Sequence, residues 1–146
     1  MLLRLRRQSL GGGAMSQAKP AILVLEDDDQ VRETISLTLS DAGFQVETAV
    51  TGWEAIALIE ERRFDMVVAD INLPGGLDGL QTARHVRARQ PSLRCLFISG
   101  SDPVICDPEL DDFVAKPFRP FELLGCVWKV LRGNLPHPRV RVASPA

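Results

Sequence analysis

Ala21-Ile22-Leu23-Val24-Leu25-Glu26-Asp27-Asp28-Asp29 runs from apolar residues straight into acids. The apolar stretch is short, continuous and partly β-branched. That is the pattern of a strand covered on both faces of a parallel sheet. The acids put negative charge where the strand ends. Val31, Ile35, Leu39 and Ala42 follow at spacings of four, four and three, which is one face of a helix. Gly43 then stands where a glycine closes a helix.

The alternation continues along the chain. Phe44 to Ala49 reads as a second strand, and Trp53, Ile56, Leu58 and Ile59 as the next helical stripe. Met66-Val67-Val68-Ala69 is another buried strand, ending at Asp70. Leu80, Ala83, Val86 and Ala88 mark a third helix, which Pro91 terminates. Leu93 to Ile98 is a fourth strand, ending at Ser99, and Phe113-Val114-Ala115 a short fifth, ending at Lys116. Phe121, Leu124, Val127, Trp128 and Leu131 form a last helix with Gly133 beyond it. Trp53 and Trp128 lie on these apolar stripes, so core packing is expected for both. Strands alternating with helices imply an α/β fold with a parallel sheet covered on both sides. Five such units fit a flavodoxin-like, doubly wound five-stranded sheet of order 2-1-3-4-5, in which ligands bind beyond the carboxyl ends of the strands.

The chain has 146 residues, 45% hydrophobic and 25% charged, with a net charge of −2. That size suits one domain, and that charge gives no general attraction to nucleic acid or membrane. No apolar run approaches the roughly 20 residues a membrane helix needs. Cys95, Cys106 and Cys126 are odd in number and match no zinc spacing, which fits a reducing cytoplasm. The domain is expected over residues 21–133. Residues 1–20 read as a disordered arm, with a weak membrane or partner tag, or a start misassigned before Met15, as the competing explanations. Residues 134–146 carry Pro136, Pro138 and Pro145 and read as a disordered tail.

In a parallel sheet the strand ends share one edge, so Glu26, Asp27, Asp70, Ser99 and Lys116 should converge. Carboxylates from neighbouring strands repel at short range unless a cation lies between them. Hard oxygen donors select Mg²⁺. A carboxylate such as Asp70 can form an aspartyl phosphate, while a lysine ammonium and a serine hydroxyl stabilise the phosphoryl oxygens. Each residue also has a plainer reading. Asp28 and Asp29 suit a helix N-terminus, Asp70 and Ser99 suit turns, and Lys116 suits a solvated surface. Their joint position at the ends of four strands is what favours a site. Arg84, His85, Arg87 and Arg89 read as a solvated face of the third helix rather than a docking patch.

Four stretches carry a resemblance: ILVLEDDDQVRE at 22–33, VVADINLPGGLDGL at 67–80, LFISG at 96–100 and FVAKPF at 113–118. From about Ala21 to about Arg132 the chain resembles the receiver domain of two-component response regulators. The resemblance implies that Glu26 and Asp27 hold Mg²⁺, that Asp70 is phosphorylated, and that the backbone carbonyl of Asn72 completes the metal shell. It makes Ser99 the switch hydroxyl, Lys116 the phosphate-binding lysine, and Phe113 the aromatic switch. It also implies a cis Lys116-Pro117 bond. The donor would be a histidine kinase or a histidine phosphotransfer protein, and the readout a conformational change sensed by a downstream protein. Such a domain assists its own phosphorylation and dephosphorylation and is not otherwise an enzyme.

Three features depart from the family pattern. The loop after Asp70 is one residue longer, as in receivers attached to hybrid histidine kinases, and Gly75 and Gly76 would accommodate it with positive φ. The interval from Ser99 to Lys116 is short and carries Pro103 and Pro108, so the fourth helix, between the fourth and fifth strands, is expected to be shortened or missing. That leaves the oligomeric state open. The residues after the last helix are too few for another core, so no DNA-binding output is expected. The alternative function is a pseudo-receiver that binds proteins without phosphorylation. A small phosphohydrolase ranks below it, since no general acid or base stands near Asp70 in sequence.

Overall fold

The structure, a computed structural model, describes residues 19–100 and 111–132. Strands β1 (Ala21–Leu25), β2 (Gln45–Ala49), β3 (Met66–Asp70), β4 (Arg94–Ser99) and β5 (Asp111–Ala115) alternate with helices α1 (Asp29–Asp41), α2 (Gly52–Glu61), α3 (Gly79–Arg89) and α4 (Pro120–Arg132). They form one sheet of order β2-β1-β3-β4-β5, and every neighbouring pair is parallel. This is the flavodoxin-like arrangement that the sequence pattern implied. Most of the segment in which a shortened fourth helix was expected, 100–112, lies outside the described residues, as do residues 1–18 of the N-terminal arm, the C-terminal tail and Cys106. Among the described residues no helix is long and apolar enough to cross a membrane.

Successive strand residues point to opposite faces, so each apolar run supplies two cores. Leu23, Leu25, Val67, Ala69, Cys95, Phe97 and Phe113 face α2 and α3, where Ala55, Ile59, Ala83 and Val86 cover them. Ile22, Val24, Met66, Val68, Leu96, Ile98 and Val114 face the other way, against Ile35 and Leu39 of α1 and Leu123, Val127 and Val130 of α4.

The helix starts follow from side-chain caps. Asp28 Oδ1 accepts from the N–H groups of Gln30 and Val31 at 2.9 and 3.0 Å, and the Thr51 hydroxyl accepts from Glu54 N at 3.1 Å. Asp78 and Gln81 form a reciprocal capping box at the start of α3. Gly43 takes φ +100° just past α1, as its position predicted, and Gly75 and Gly76 take φ +87° and +106° in the longer loop.

Several expectations are corrected. Trp53 and Trp128 are not core residues: they are 59% and 44% exposed. On α2 the buried face is Gly52, Ala55 and Ile59, and Trp53 lies across the helix from Ala55. On α4 the buried face is Leu123, Val127 and Val130. Trp128 packs its ring on Phe44 at 4.9 Å between centroids, and Phe121 faces solvent. On α3, Thr82 is buried and Ala88 is exposed. The reason is close helix approach: a Cβ on Gly52 would stand 2.3 Å from Thr82 Oγ1 and 2.9 Å from Leu77 Cβ. Small residues fill that seam and leave Trp53 outside it. β5 also begins earlier than its apolar residues indicate, because Asp111 and Asp112 pair with Cys95 and Leu96 of β4.

Candidate functional site

All five strands run the same way, so β1, β3, β4 and β5 deliver their last residues to one edge of the sheet. β1 lies beside β3, which brings the acids after Leu25 next to Asp70. β4 lies beside β3 on the other side, with Ile98 opposite Asp70, so Ser99 stands one step past it. β5 completes the row: Lys116 N donates to Ser99 O at 2.9 Å.

The side chains meet. Lys116 Nζ donates to Asp70 Oδ2 at 2.9 Å and lies 3.7 Å from Glu26 Oε1. Carboxylate oxygens of Glu26, Asp27 and Asp70 all lie within 4.8 Å of one another. Glu26 and Asp70 are buried, and Asp27 is exposed. Ser99 is buried at the end of β4. Phe113 is turned inward, its ring 5.7 Å from that of Phe97. The Asn72 N–H donates to Asp70 Oδ1 at 2.9 Å, making a tight turn directly after the strand. The Lys116-Pro117 bond is cis.

The electrostatics follow from this crowding. Burial pushes the Glu26 carboxyl from 4.5 to about 7; the Asp28 N–H on Oε2, at 3.0 Å, opposes the rise, and the nearby Asp70 charge adds to it. Burial disfavours the Lys116 ammonium, but its hydrogen bond to Asp70 and the charges of Glu26, Asp70 and Asp27 outweigh that, and its pKa is raised.

The donor set fits a hard divalent cation. Three carboxylates converge, and the buried Glu26 Oε1 has no hydrogen-bond partner. A buried acceptor without a hydrogen bond, in a site where carboxylates outnumber the one ammonium, suits a metal ion, and oxygen donors favour Mg²⁺ over softer ions.

Two supports escaped the sequence reading. Arg32, on α1, donates from Nη1 to Glu26 O at 3.1 Å and pairs with Asp29 at 2.7 Å, pinning the acidic turn. In sequence it is one more charged residue on a helix. Gly79 abuts Asp70 itself, a contact no periodicity reveals. His85, expected at the surface, is exposed there, 6.2 Å from the Trp53 ring.

Residues 22–127 match the model of the response regulator receiver domain family, and the chain belongs to that family. It is 39% identical over 120 residues to the response regulator MprA of Mycobacterium sp. (strain KMS), an alignment covering 79% of this chain and 52% of that protein. The chain thus spans about half the length of the curated relatives it matches. Chemotaxis protein CheY4 of Vibrio cholerae is similar in structure, with TM-score 0.69 and 30% identity over 77% of this chain and 99% of that one. A response regulator receiver protein from Sinorhizobium medicae matches with TM-score 0.72 and 29% identity over 80% of this chain and 98% of that one. The chain therefore carries a receiver domain of two-component signalling.

Proposed function

We propose that the domain is a phosphorylation switch that takes a phosphoryl group onto Asp70 from the phosphohistidine of a histidine kinase or histidine phosphotransfer protein. The observation that carries this is the Lys116 ammonium held 2.9 Å from Asp70, beside carboxylates of Glu26 and Asp27. In the transfer, the P–N bond to histidine breaks and a P–O bond to Asp70 forms, leaving an acyl phosphate. Glu26, Asp27, Asp70 and the Asn72 carbonyl would hold Mg²⁺, which would supply neutralising charge to the phosphoryl oxygens. Lys116 gives up Asp70 Oδ2 to the incoming group and stabilises another of its oxygens. The Ser99 hydroxyl hydrogen-bonds a phosphoryl oxygen as it moves toward the group, and the Phe113 ring, already inward, packs closer into the space it leaves. A downstream protein reads the resulting population shift.

The domain assists its own phosphorylation and dephosphorylation, water completing the cycle, and catalyses no other reaction. Its setting is the cytoplasm. The complete acid, hydroxyl and lysine set favours this over a pseudo-receiver that only binds proteins.

Incubation with acetyl phosphate and Mg²⁺, followed by intact mass, tests the reading. One added phosphoryl group is expected on the native chain and none on Asp70→Ala. An unmodified native chain, or equal labelling of both, rejects Asp70 as the acceptor.

A further inference from the structure

Asp70 ends β3, and its own main chain is one wall of the connection to α3. That connection leaves the sheet at Ile71 and returns at Gly79. The Gly79 N–H donates to the Ile71 carbonyl at 3.1 Å, so the two ends of the loop touch. A Cβ added to Gly79 would stand 2.3 Å from the Asp70 carbonyl oxygen, 3.0 Å from its carbon and 3.0 Å from Ile71 Cα. All three are backbone atoms, which cannot rotate away. Between these ends, the Asn72 N–H holds Asp70 Oδ1 at 2.9 Å. The tip is built differently: Gly75 has nothing within contact of an added Cβ, and Gly76 meets only Trp53 Nε1, at 3.8 Å.

We infer that Gly79 is a positioning residue of the cation site. By closing the neck of the β3–α3 connection onto the Asp70 carbonyl, it fixes the Asp70–Asn72 turn, and the length of the tip does not reach the site. This rests on the cation reading above. Any side chain at Gly79 must push α3 off the strand end or displace Asp70, and either movement carries the turn with it. Leu123 is a contrasting buried residue. It lies on α4, in the core on the other face of the sheet, away from the β3–α3 connection.

Mn²⁺ is the probe, its free concentration read by electron paramagnetic resonance on the full chain. The native chain should bind one ion, and Asp70→Asn should weaken binding. Failure of the native chain to bind rejects the cation reading, and the role of Gly79 with it. Gly79→Ala should weaken Mn²⁺ about tenfold or more, as loss of a ligand-orienting partner does. Leu123→Ala should lose thermal stability yet keep native affinity. Native affinity in a folded Gly79→Ala chain overturns the inference while leaving the cation reading intact. If Gly79→Ala does not fold, a glycine inserted between Gly75 and Gly76 decides. Unchanged affinity supports a closed neck, and weakened affinity shows that the tip governs the site and overturns the proposal.

Discussion

Lys116 lies 2.9 Å from Asp70 and 3.7 Å from Glu26, so one ammonium answers two buried carboxylates. Replacing it with methionine keeps the stem and removes the charge. Lys116→Met should cut the rate of labelling by acetyl phosphate about 10²-fold, the scale of losing one transition-state donor. Mn²⁺ binding should persist, because the carboxylates remain; loss of both together would place Lys116 in the metal shell instead. Glu26 carries a pH signature. Its carboxyl titrates at 4.5 in the ordinary state and about 7 in the fold, so between those values the folded chain binds the extra proton. The contribution of this group to stability is full below the lower value and is lost as pH rises through the upper one. With divalent ions chelated, the melting temperature should fall from about pH 5 to about pH 8, and Glu26→Gln should flatten that slope. An identical slope in the variant would assign it to other groups. The positions of Glu26, Asp27, Asp70, Ser99 and Lys116 at one edge were legible in the sequence, because each lies within two residues of the end of an apolar run and a parallel sheet gathers such ends. The contacts of Arg32 with the Glu26 carbonyl and of Gly79 with the Asp70 and Ile71 main chain were not, since backbone partners leave no mark on residue type.

At the level of elements, the strands were read well and the helix faces less so. A buried parallel strand needs apolar residues on both sides, and that requirement writes a run into the chain. A helix shows only a stripe, and the stripe is misplaced when size stands in for burial. Gly52, Ala55, Thr82 and Ala83 are buried where α2 meets α3, whereas Trp53 is outside. Trp53→Ala should therefore change stability by no more than about 0.5 kcal/mol, as surface substitutions do. Phe97→Ala, within the core beneath α2 and α3, should cost about 3–5 kcal/mol. Urea unfolding compares the two, and equal losses would contradict the packing described. The cap of α3 has its own value: Asp78→Ala removes the acceptor for Gln81 N at 2.8 Å and should cost about 1 kcal/mol.

For the whole molecule, the site sits on loops carried by both sheet faces, so an ion bound there is a ligand of the folded state alone. Mg²⁺ at about 100 times its dissociation constant should raise unfolding free energy by about 2.7 kcal/mol. Chelation should remove that gain, and Asp70→Ala should show a smaller one. An equal Mg²⁺ effect on Asp70→Ala would mean that the ion binds elsewhere. The parallel sheet has a further outcome. β1 enters from the edge opposite the acids, and α4, starting just after Lys116, travels back toward that same edge. The described chain thus begins and finishes beneath the domain, with the acceptor on top. Tethering the domain at either end of the described chain, to a bead, a sensor chip or a fusion partner, leaves the edge that carries Asp70 facing an incoming donor.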